Sequence, residues 1–169
     1  MAQPKDILTL ATDRYGKQLY WHIRRLVVSH DDAEDVLQET FIKIFTKASS
    51  FRGDEESLLP WCYQIATREA LLCLRRRKHV FQSLDSLNGE LAELVVAESA
   101  PDADRSALLF QQAILQLSTQ QRIAFNLRYY DELPYDQIAA ITGKSEGSLR
   151  TNYHYAVDKI KEYLKEHAI

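Results

Sequence analysis

The sequence predicts an all-α protein made of two small helical domains joined by an acidic linker, with a helix-turn-helix in the second domain. Apolar residues recur at steps of three and four along most of the 169 residues, which is the period of an amphipathic helix. No segment shows the alternation of a half-buried strand. Residues 80–103 contain neither lysine nor arginine and lose the helical pattern, so we expect domains at 1–79 and 104–169 with a linker between them.

Composition narrows the class of protein. Hydrophobic residues make up 46% of the chain and charged residues 27%, which is ordinary for a globular protein. The chain has no long apolar run, and residues 1–13 lack the order of a signal peptide, so we expect a cytoplasmic protein without membrane insertion. Cys62 and Cys73 would lie roughly 16 Å apart on a helix, too far for a disulfide. The five histidines lack metal-ligand spacing, so we expect no metal and no cofactor.

The first domain is predicted to contain helices over residues 5–28, 32–48 and 58–78, with a loop at 47–57. Acidic residues begin the second helix and basic residues end the third, which suits the helix dipole. Pro60 is acceptable in the first turn of the third helix, where backbone N–H groups lack intrahelical partners. The net charge is only −3, but these clusters offer one acidic and one basic surface. Two merely solvated faces are the alternative.

The linker and the second domain follow. Within the linker we expect at most a short helix near residues 90–97. Helices are then predicted over 104–117, 119–130 and 134–142, with a last long helix from Ser145. Ser118 and Gln121 have the spacing of a capping box, and Gly143 suits the end of a helix.

The segment 132–160 has the pattern of a helix-turn-helix, whose second helix enters the major groove of DNA by its N-terminal residues. Once the apolar face of that helix is set aside, a polar set that includes a guanine-reading arginine and an adenine-reading asparagine remains. With the turn lysine, the candidates are Lys144, Ser148, Arg150, Thr151, Asn152, His154 and Tyr155. A plain helical hairpin with a solvated polar face is the alternative.

The third helix is a second candidate surface, because it combines aromatic and basic residues that can stack on bases and hold phosphates. The alternative is that Trp61 belongs to the core and that the basic end of the helix is merely solvated. Judged from this helix alone, we favour that alternative, because tryptophan is usually largely buried. Residues 143–147 match the G-x-S-x-G nucleophile pattern, but a helix precedes them where that motif needs a strand. Ile138 stands where a phosphate-binding loop needs its first glycine. We expect no catalytic residue and therefore no enzyme.

Taken in order, these segments resemble a known family. Residues 32–41 (DAEDVLQETF), 60–66 (PWCYQIA) and 74–78 (LRRRK) are similar to the second domain of an extracytoplasmic-function (ECF) sigma factor. Residues 121–130 (QRIAFNLRYY), 133–139 (LPYDQIA) and 143–150 (GKSEGSLR) are similar to its fourth domain. The resemblance covers nearly the whole chain.

The resemblance implies a sigma factor that binds the RNA polymerase core through the beta-prime coiled coil and the beta subunit, recognises promoters and helps to open DNA. The second helix would bind the polymerase core, through Asp31, Asp32, Glu34, Asp35, Gln38, Glu39 and Phe41. The loop 49–56 and the third helix would bind the separated −10 element, through Phe51, Arg52, Trp61, Tyr63, Arg68, Arg75, Arg76, Arg77 and Lys78. The residues 144–155 named above would read the −35 element, and the linker would enter a basic channel of polymerase.

Two other functions stay open from the residues alone. One is a helix-turn-helix regulator that binds duplex DNA without polymerase, with residues 1–100 sensing a signal or forming a dimer. The other is a helical adaptor without a role in nucleic-acid binding. The resemblance also points to an inhibitory anti-sigma factor as a partner, which the sequence does not identify.

Overall fold

The computed structural model describes residues 3–81 and 84–168, and it describes side chains outside residues 78–90. The helices are α1 (Pro4–Leu10), α2 (Gly16–Val27), α3 (His30–Lys47), α4 (Glu55–Phe81), α5 (Leu84–Ala97), α6 (Arg105–Ile114), α7 (Thr119–Tyr129), α8 (Tyr135–Thr142) and α9 (Glu146–His167). A π-helical turn, Ala11–Tyr15, joins α1 to α2, and a 3-10 turn, Ala48–Ser50, follows α3. The described residues contain no strand, and the predicted all-α fold is confirmed. None of the described helices combines the length and apolarity needed to cross a membrane.

In the N-terminal half, α3 and α4 begin at polar residues whose side chains accept hydrogen bonds from the first turn. The Ser29 hydroxyl accepts a hydrogen bond from the backbone N–H of Asp32 at the start of α3 (3.4 Å). Asp54 accepts two hydrogen bonds from Ser57, and these lower the pKa of its carboxyl group. Because α4 begins at Glu55, Pro60 lies beyond the first turn, and our expectation that it would lie within that turn was wrong. Its ring therefore removes one hydrogen bond of the helix ladder.

The linker is more helical than its composition indicated. Helix α5 spans Leu84–Ala97, whereas the sequence favoured at most a short helix near 90–97. Leu91 and Val95 are buried and join the same apolar core as α1 to α4. Leu91 and Val95 therefore pack α5 against the core, and among the described residues of the linker only 98–103 lie outside a helix.

The C-terminal half, α6 to α9, confirms the predicted helix-turn-helix. Ser118 and Gln121 form the expected capping box at α7, and each side chain bonds to the backbone N–H of the other residue. Gly143 ends α8 with φ +76°, which glycine adopts without the steric cost of a Cβ. Ser145 then caps α9 by accepting from the N–H of Ser148.

The two halves pack directly against each other. One apolar core runs from Leu19 and Ile23 on α2 to Leu127 on α7 and Ile138 on α8. A smaller cluster, which includes Phe125 and Ile160, joins α6, α7 and α9. At the seam α4 lies against α8 and α2 lies against α7, so each half covers part of the other.

Buried polar groups cross this seam. The guanidinium of Arg122 on α7 is almost fully buried and donates to the carbonyl oxygens of Leu26 (2.9 Å) and Arg25 (3.3 Å). These carbonyls belong to the last turn of α2, where carbonyl groups lack intrahelical partners. Burial lowers the pKa of Arg122 to about 10, which still leaves it charged at neutral pH.

Candidate nucleic-acid interface

The exposed face of α9 brings together the side chains predicted to read duplex DNA. Arg150 is exposed, lies 3.6 Å from the Glu146 carboxylate, and stacks over the Tyr135 ring at 5.0 Å. Asn152 donates to the Ser148 hydroxyl at 3.4 Å, so its side chain is held along the helix. The other predicted residues lie on α9 or in the turn before it, with Thr151, His154 and Tyr155 exposed and Lys144 half-buried. The arrangement offers hydrogen-bond donors on one convex helix face, which is the shape that a major groove admits.

The loop before α4 forms an aromatic cleft. The rings of Phe51 and Trp61 lie 4.9 Å apart and are both half-buried against the core. Arg52 is exposed and its guanidinium donates to the Ser49 carbonyl oxygen at 2.7 Å. A Cβ on Gly53 would lie 2.6 Å from the Ser57 Cβ and 2.9 Å from the Phe51 ring, so the loop closes tightly on a glycine. Phe51, Trp61 and the positively charged Arg52 therefore line the same cleft.

The aromatic cleft is shared between the two halves. Its volume is about 620 Å³, and it is lined on one side by the 50–57 loop, Trp61 and Gln64. On the other side it is lined by Asp136, Gln137 and Ala140 of α8. In this arrangement the first helix of the helix-turn-helix therefore faces the surface predicted to capture separated DNA.

Tyr63 is placed in the interior rather than beside the aromatic pair. Its side chain is fully buried, and its hydroxyl donates to the Asp131 carboxylate at 3.1 Å across the seam. Burial, and then the Asp131 charge, raise the pKa of Tyr63. Burial also raises the pKa of Asp131, while Arg25 and Tyr63 act in the opposite direction. The sequence could not separate Tyr63 from Trp61, because both aromatics occur in the same short motif.

The basic end of α4 divides into exposed and paired residues. Arg68, Arg75 and Arg76 are exposed. Arg77 forms an ion pair with Asp32 on α3, so one predicted DNA-binding residue holds one predicted polymerase-binding residue. The side chain of Lys78 lies outside the residues whose side chains are described.

Helix α3 carries a continuous exposed stripe, here called the acidic face. Its polar members repeat at helical steps along one side of the helix. They are Asp31, Glu34, Asp35, Gln38 and Glu39.

Two large apolar side chains continue the acidic face, and sequence reasoning missed them. Ile42 is 53% exposed and Phe45 is 49% exposed, four and seven residues beyond Gln38. Phe41 is instead half-buried on the core, with its ring 3.7 Å from where a Cβ on Gly16 would lie. The helical period held the necessary signal, because the inward set that contains Phe41 and Ile44 leaves positions 42 and 45 outside.

Comparisons with known proteins match both halves. Residues 12–80 match the family described as Sigma-70 region 2, and residues 107–160 match the family described as Sigma-70, region 4. The chain is 30% identical to the ECF RNA polymerase sigma-E factor of Escherichia coli (strain K12), over 87% of this chain and 81% of that protein. It is 25% identical to the ECF RNA polymerase sigma factor SigW of Bacillus subtilis (strain 168), over 96% of this chain and 91% of that protein.

A solved structure has a similar fold. It is the sigma factor RpoE in complex with the anti-sigma factor NepR from Bartonella quintana. The TM-score is 0.66 at 23% sequence identity, over 89% of this chain and 91% of that chain. This likeness extends across both halves and supports the fold assignment.

Proposed function

The chain belongs to the sigma-70 family of RNA polymerase sigma factors, in its ECF group, and we propose which of its surfaces bind polymerase and which bind promoter DNA during transcription initiation. We assign polymerase and −10 binding to a domain at residues 1–79 and −35 binding to a domain at 104–169, joined by the linker 80–103. The protein acts in the cytoplasm without a catalytic group of its own, since binding energy for exposed bases replaces nucleotide hydrolysis in opening the duplex. The observation that carries this proposal is the acidic face of α3, which is exposed along its whole length.

The acidic face suits a large basic or mixed protein surface. Its carboxylates steer association over distances near the Debye length, while Ile42 and Phe45 supply apolar area that only a protein partner would bury. Large apolar side chains at a protein interface contribute most of its binding energy, whereas rim charges mainly set the rate of encounter. We therefore place Ile42 and Phe45, rather than Phe41, at the contact with the polymerase core. An inhibitory anti-sigma factor that covered this face would compete directly with polymerase.

The two DNA surfaces use different chemistry. The Phe51–Trp61 pair with Arg52 is suited to unpaired bases, because stacking on an aromatic surface does not require a base pair. Arg68, Arg75 and Arg76 would hold the backbone of the same strand. On α9, Arg150 and Asn152 can each make two hydrogen bonds to the edge of a base in an intact duplex. The first surface would therefore act on the melted −10 element and the second on the −35 element.

Binding both elements requires the two halves to separate. The elements are named for positions about 25 base pairs apart, which is roughly 85 Å of duplex. In the closed arrangement described above, α8 lies against the aromatic cleft, so the two DNA surfaces cannot span that distance. Polymerase binding would supply the free energy that breaks the seam.

A binding experiment with purified polymerase core tests the proposal. We expect Ile42→Asp combined with Phe45→Asp to weaken core binding at least about a hundredfold, because loss of two buried apolar anchors costs roughly 3 kcal/mol or more. The matched control, Ile42→Val with Phe45→Tyr, keeps most of the apolar area and should bind within about threefold of the original chain. Fluorescence anisotropy of labelled protein measures both. If the aspartate variant bound core with the affinity of the original chain, α3 would not be part of the polymerase interface.

A gel shift with promoter DNA distinguishes a sigma factor from a regulator that binds DNA without polymerase. We expect a specific complex only when core polymerase is present. A specific complex formed by the chain alone at similar concentration would favour the regulator.

A further inference from the structure

A cavity of about 460 Å³ lies where α2, the end of α5 and the α6–α7 pair meet. Its walls are mostly apolar and include Trp21 from α2, Val28 just after α2, Val95 from α5, and Leu108 and Tyr130 from the C-terminal half. The Arg24–Glu98 ion pair, at 3.4 Å, lies at its edge. The size and the largely apolar lining are those of small-molecule sites, which occur preferentially between domains.

Two polar side chains that line this junction cavity have unmet hydrogen-bonding capacity. Asn126 on α7 is 1% exposed, and neither its Nδ2 nor its Oδ1 has a hydrogen-bond partner among the described residues. Arg25 Nη1 is also buried without a hydrogen bond in the described part of the chain, although it lies 3.6 Å from the Asp131 carboxylate. Buried amides are almost always paired, because an unpaired one costs its full desolvation. Both residues line the cavity, so two donor groups and one acceptor without hydrogen-bond partners among the described residues lie at its wall.

We propose that the junction cavity binds a small planar carboxamide and that its occupancy holds the two halves of the chain together. A carboxamide carbonyl can accept from both Arg25 and Asn126, while its N–H donates to the Asn126 oxygen. A carboxylate has no donor for that oxygen, and a protonated amine has no acceptor for the two donors. Arg25 already faces Asp131 and lies over the Tyr130 ring at 4.3 Å, so the site favours a neutral ligand. A flat apolar body would lie between Trp21, Val95 and Leu108.

Occupancy would oppose transcription initiation, and this consequence rests on the proposed function. Residues from both halves form the cavity, so it exists only while the seam is closed. A ligand that binds one of two conformations shifts the population toward that conformation by mass action. At ten times its dissociation constant, such a ligand would reduce the apparent affinity for polymerase core by up to about elevenfold.

Benzamide is a suitable probe, with toluene as the apolar control and benzoate as the acidic control. In an NMR titration of the full chain we expect saturable shifts with benzamide, centred on the Asn126 side-chain amide, and weaker binding of toluene and benzoate. Asn126→Leu keeps the side-chain volume and should weaken benzamide binding at least about tenfold. The same substitution should raise the Tm by a few degrees, because it removes an unpaired buried amide. Gln116→Leu removes an exposed amide from the turn after α6 and should leave benzamide affinity unchanged.

Several outcomes would overturn the proposal. Absence of saturable shifts would mean that the cavity holds water only, and equal binding of toluene and benzamide would exclude the carboxamide assignment. Ala103→Trp, which fills the cavity from its wall, should abolish benzamide binding, and retention of binding would place the probe elsewhere. If benzamide bound without weakening core affinity, occupancy would not hold the halves together. A chain that never bound core would instead contradict the proposed function, and the titration of the free protein would be unaffected.

Discussion

Replacing Arg122 with methionine tests whether the polar contacts at the seam keep the two halves closed. The guanidinium of Arg122 satisfies two carbonyl groups at the end of α2, and methionine keeps the aliphatic volume without the donors. Each of the two buried carbonyl groups left unpaired costs about 1–3 kcal/mol, which gives about 2–6 kcal/mol in all. Part of this is offset, because methionine also removes the desolvation of a buried cation. A net loss of about 2 kcal/mol would raise the ratio of open to closed molecules about thirtyfold.

Single-molecule energy transfer between one dye on each half measures that ratio directly. Lys17 on α2 and Glu166 on α9 are exposed and can be replaced by cysteine for labelling, with Cys73→Ser to prevent a third label. Cys62 is buried, and burial raises the pKa of its thiol to about 12, so it will not react.

The matched control for this prediction is Arg128→Met. Arg128 also lies on α7, but it donates to the Leu133 carbonyl oxygen (3.0 Å) and stacks on Tyr135, both within the C-terminal half. We expect it to destabilise that half without changing the open-to-closed ratio. An Arg122→Met chain as closed as the original, or an Arg128→Met chain that opens equally, would show that the Arg122 hydrogen bonds do not hold the seam closed.

Three further substitutions test single contacts. Burial, and then the Arg25 charge, lower the pKa of His22 to about 3. The unfolded chain therefore binds more protons between about pH 3 and 6.5, and the free energy of unfolding should fall by up to ~1.4 kcal/mol per unit as the pH drops through that range. His22→Gln should flatten this slope in urea melts, and an unaltered slope would assign it to other groups. Gly53→Ala should distort the aromatic loop through the clash with Ser57 and reduce promoter opening, measured by permanganate reactivity of unpaired thymines, with core affinity retained. Ser118→Ala should lower the free energy of unfolding by about 1 kcal/mol through loss of the capping box, and an unchanged urea midpoint would count against that cap.

Local chemistry made most of the helices predictable. The cap at Ser118, the left-handed glycine at 143 and the cap at Ser145 are set by residues next to one another, so the helix-turn-helix was visible in the sequence. The acidic face of α3 was equally visible, since exposure at helical steps follows from the inward set. Ile42 and Phe45 were missed because the predicted polymerase contact was assigned to the acidic residues and Phe41, although the inward set leaves positions 42 and 45 exposed.

Long-range packing was the part that local patterns could not predict. Arg122 has the sequence context of an ordinary surface arginine, and only the approach of α2 makes it a buried donor. Tyr63 is turned inward by Asp131, a partner 68 residues away. Leu91 and Val95 gain a core to pack on only once α5 lies against the N-terminal half, so the composition of the linker understated its helix.

Run-off transcription with purified polymerase core on a library of promoter sequences tests whether this chain directs initiation. We expect core alone to give no specific transcript, and core with the chain to give transcripts from templates that share two elements at a fixed spacing. A transcript pattern unchanged by the chain would show that it does not act as a sigma factor.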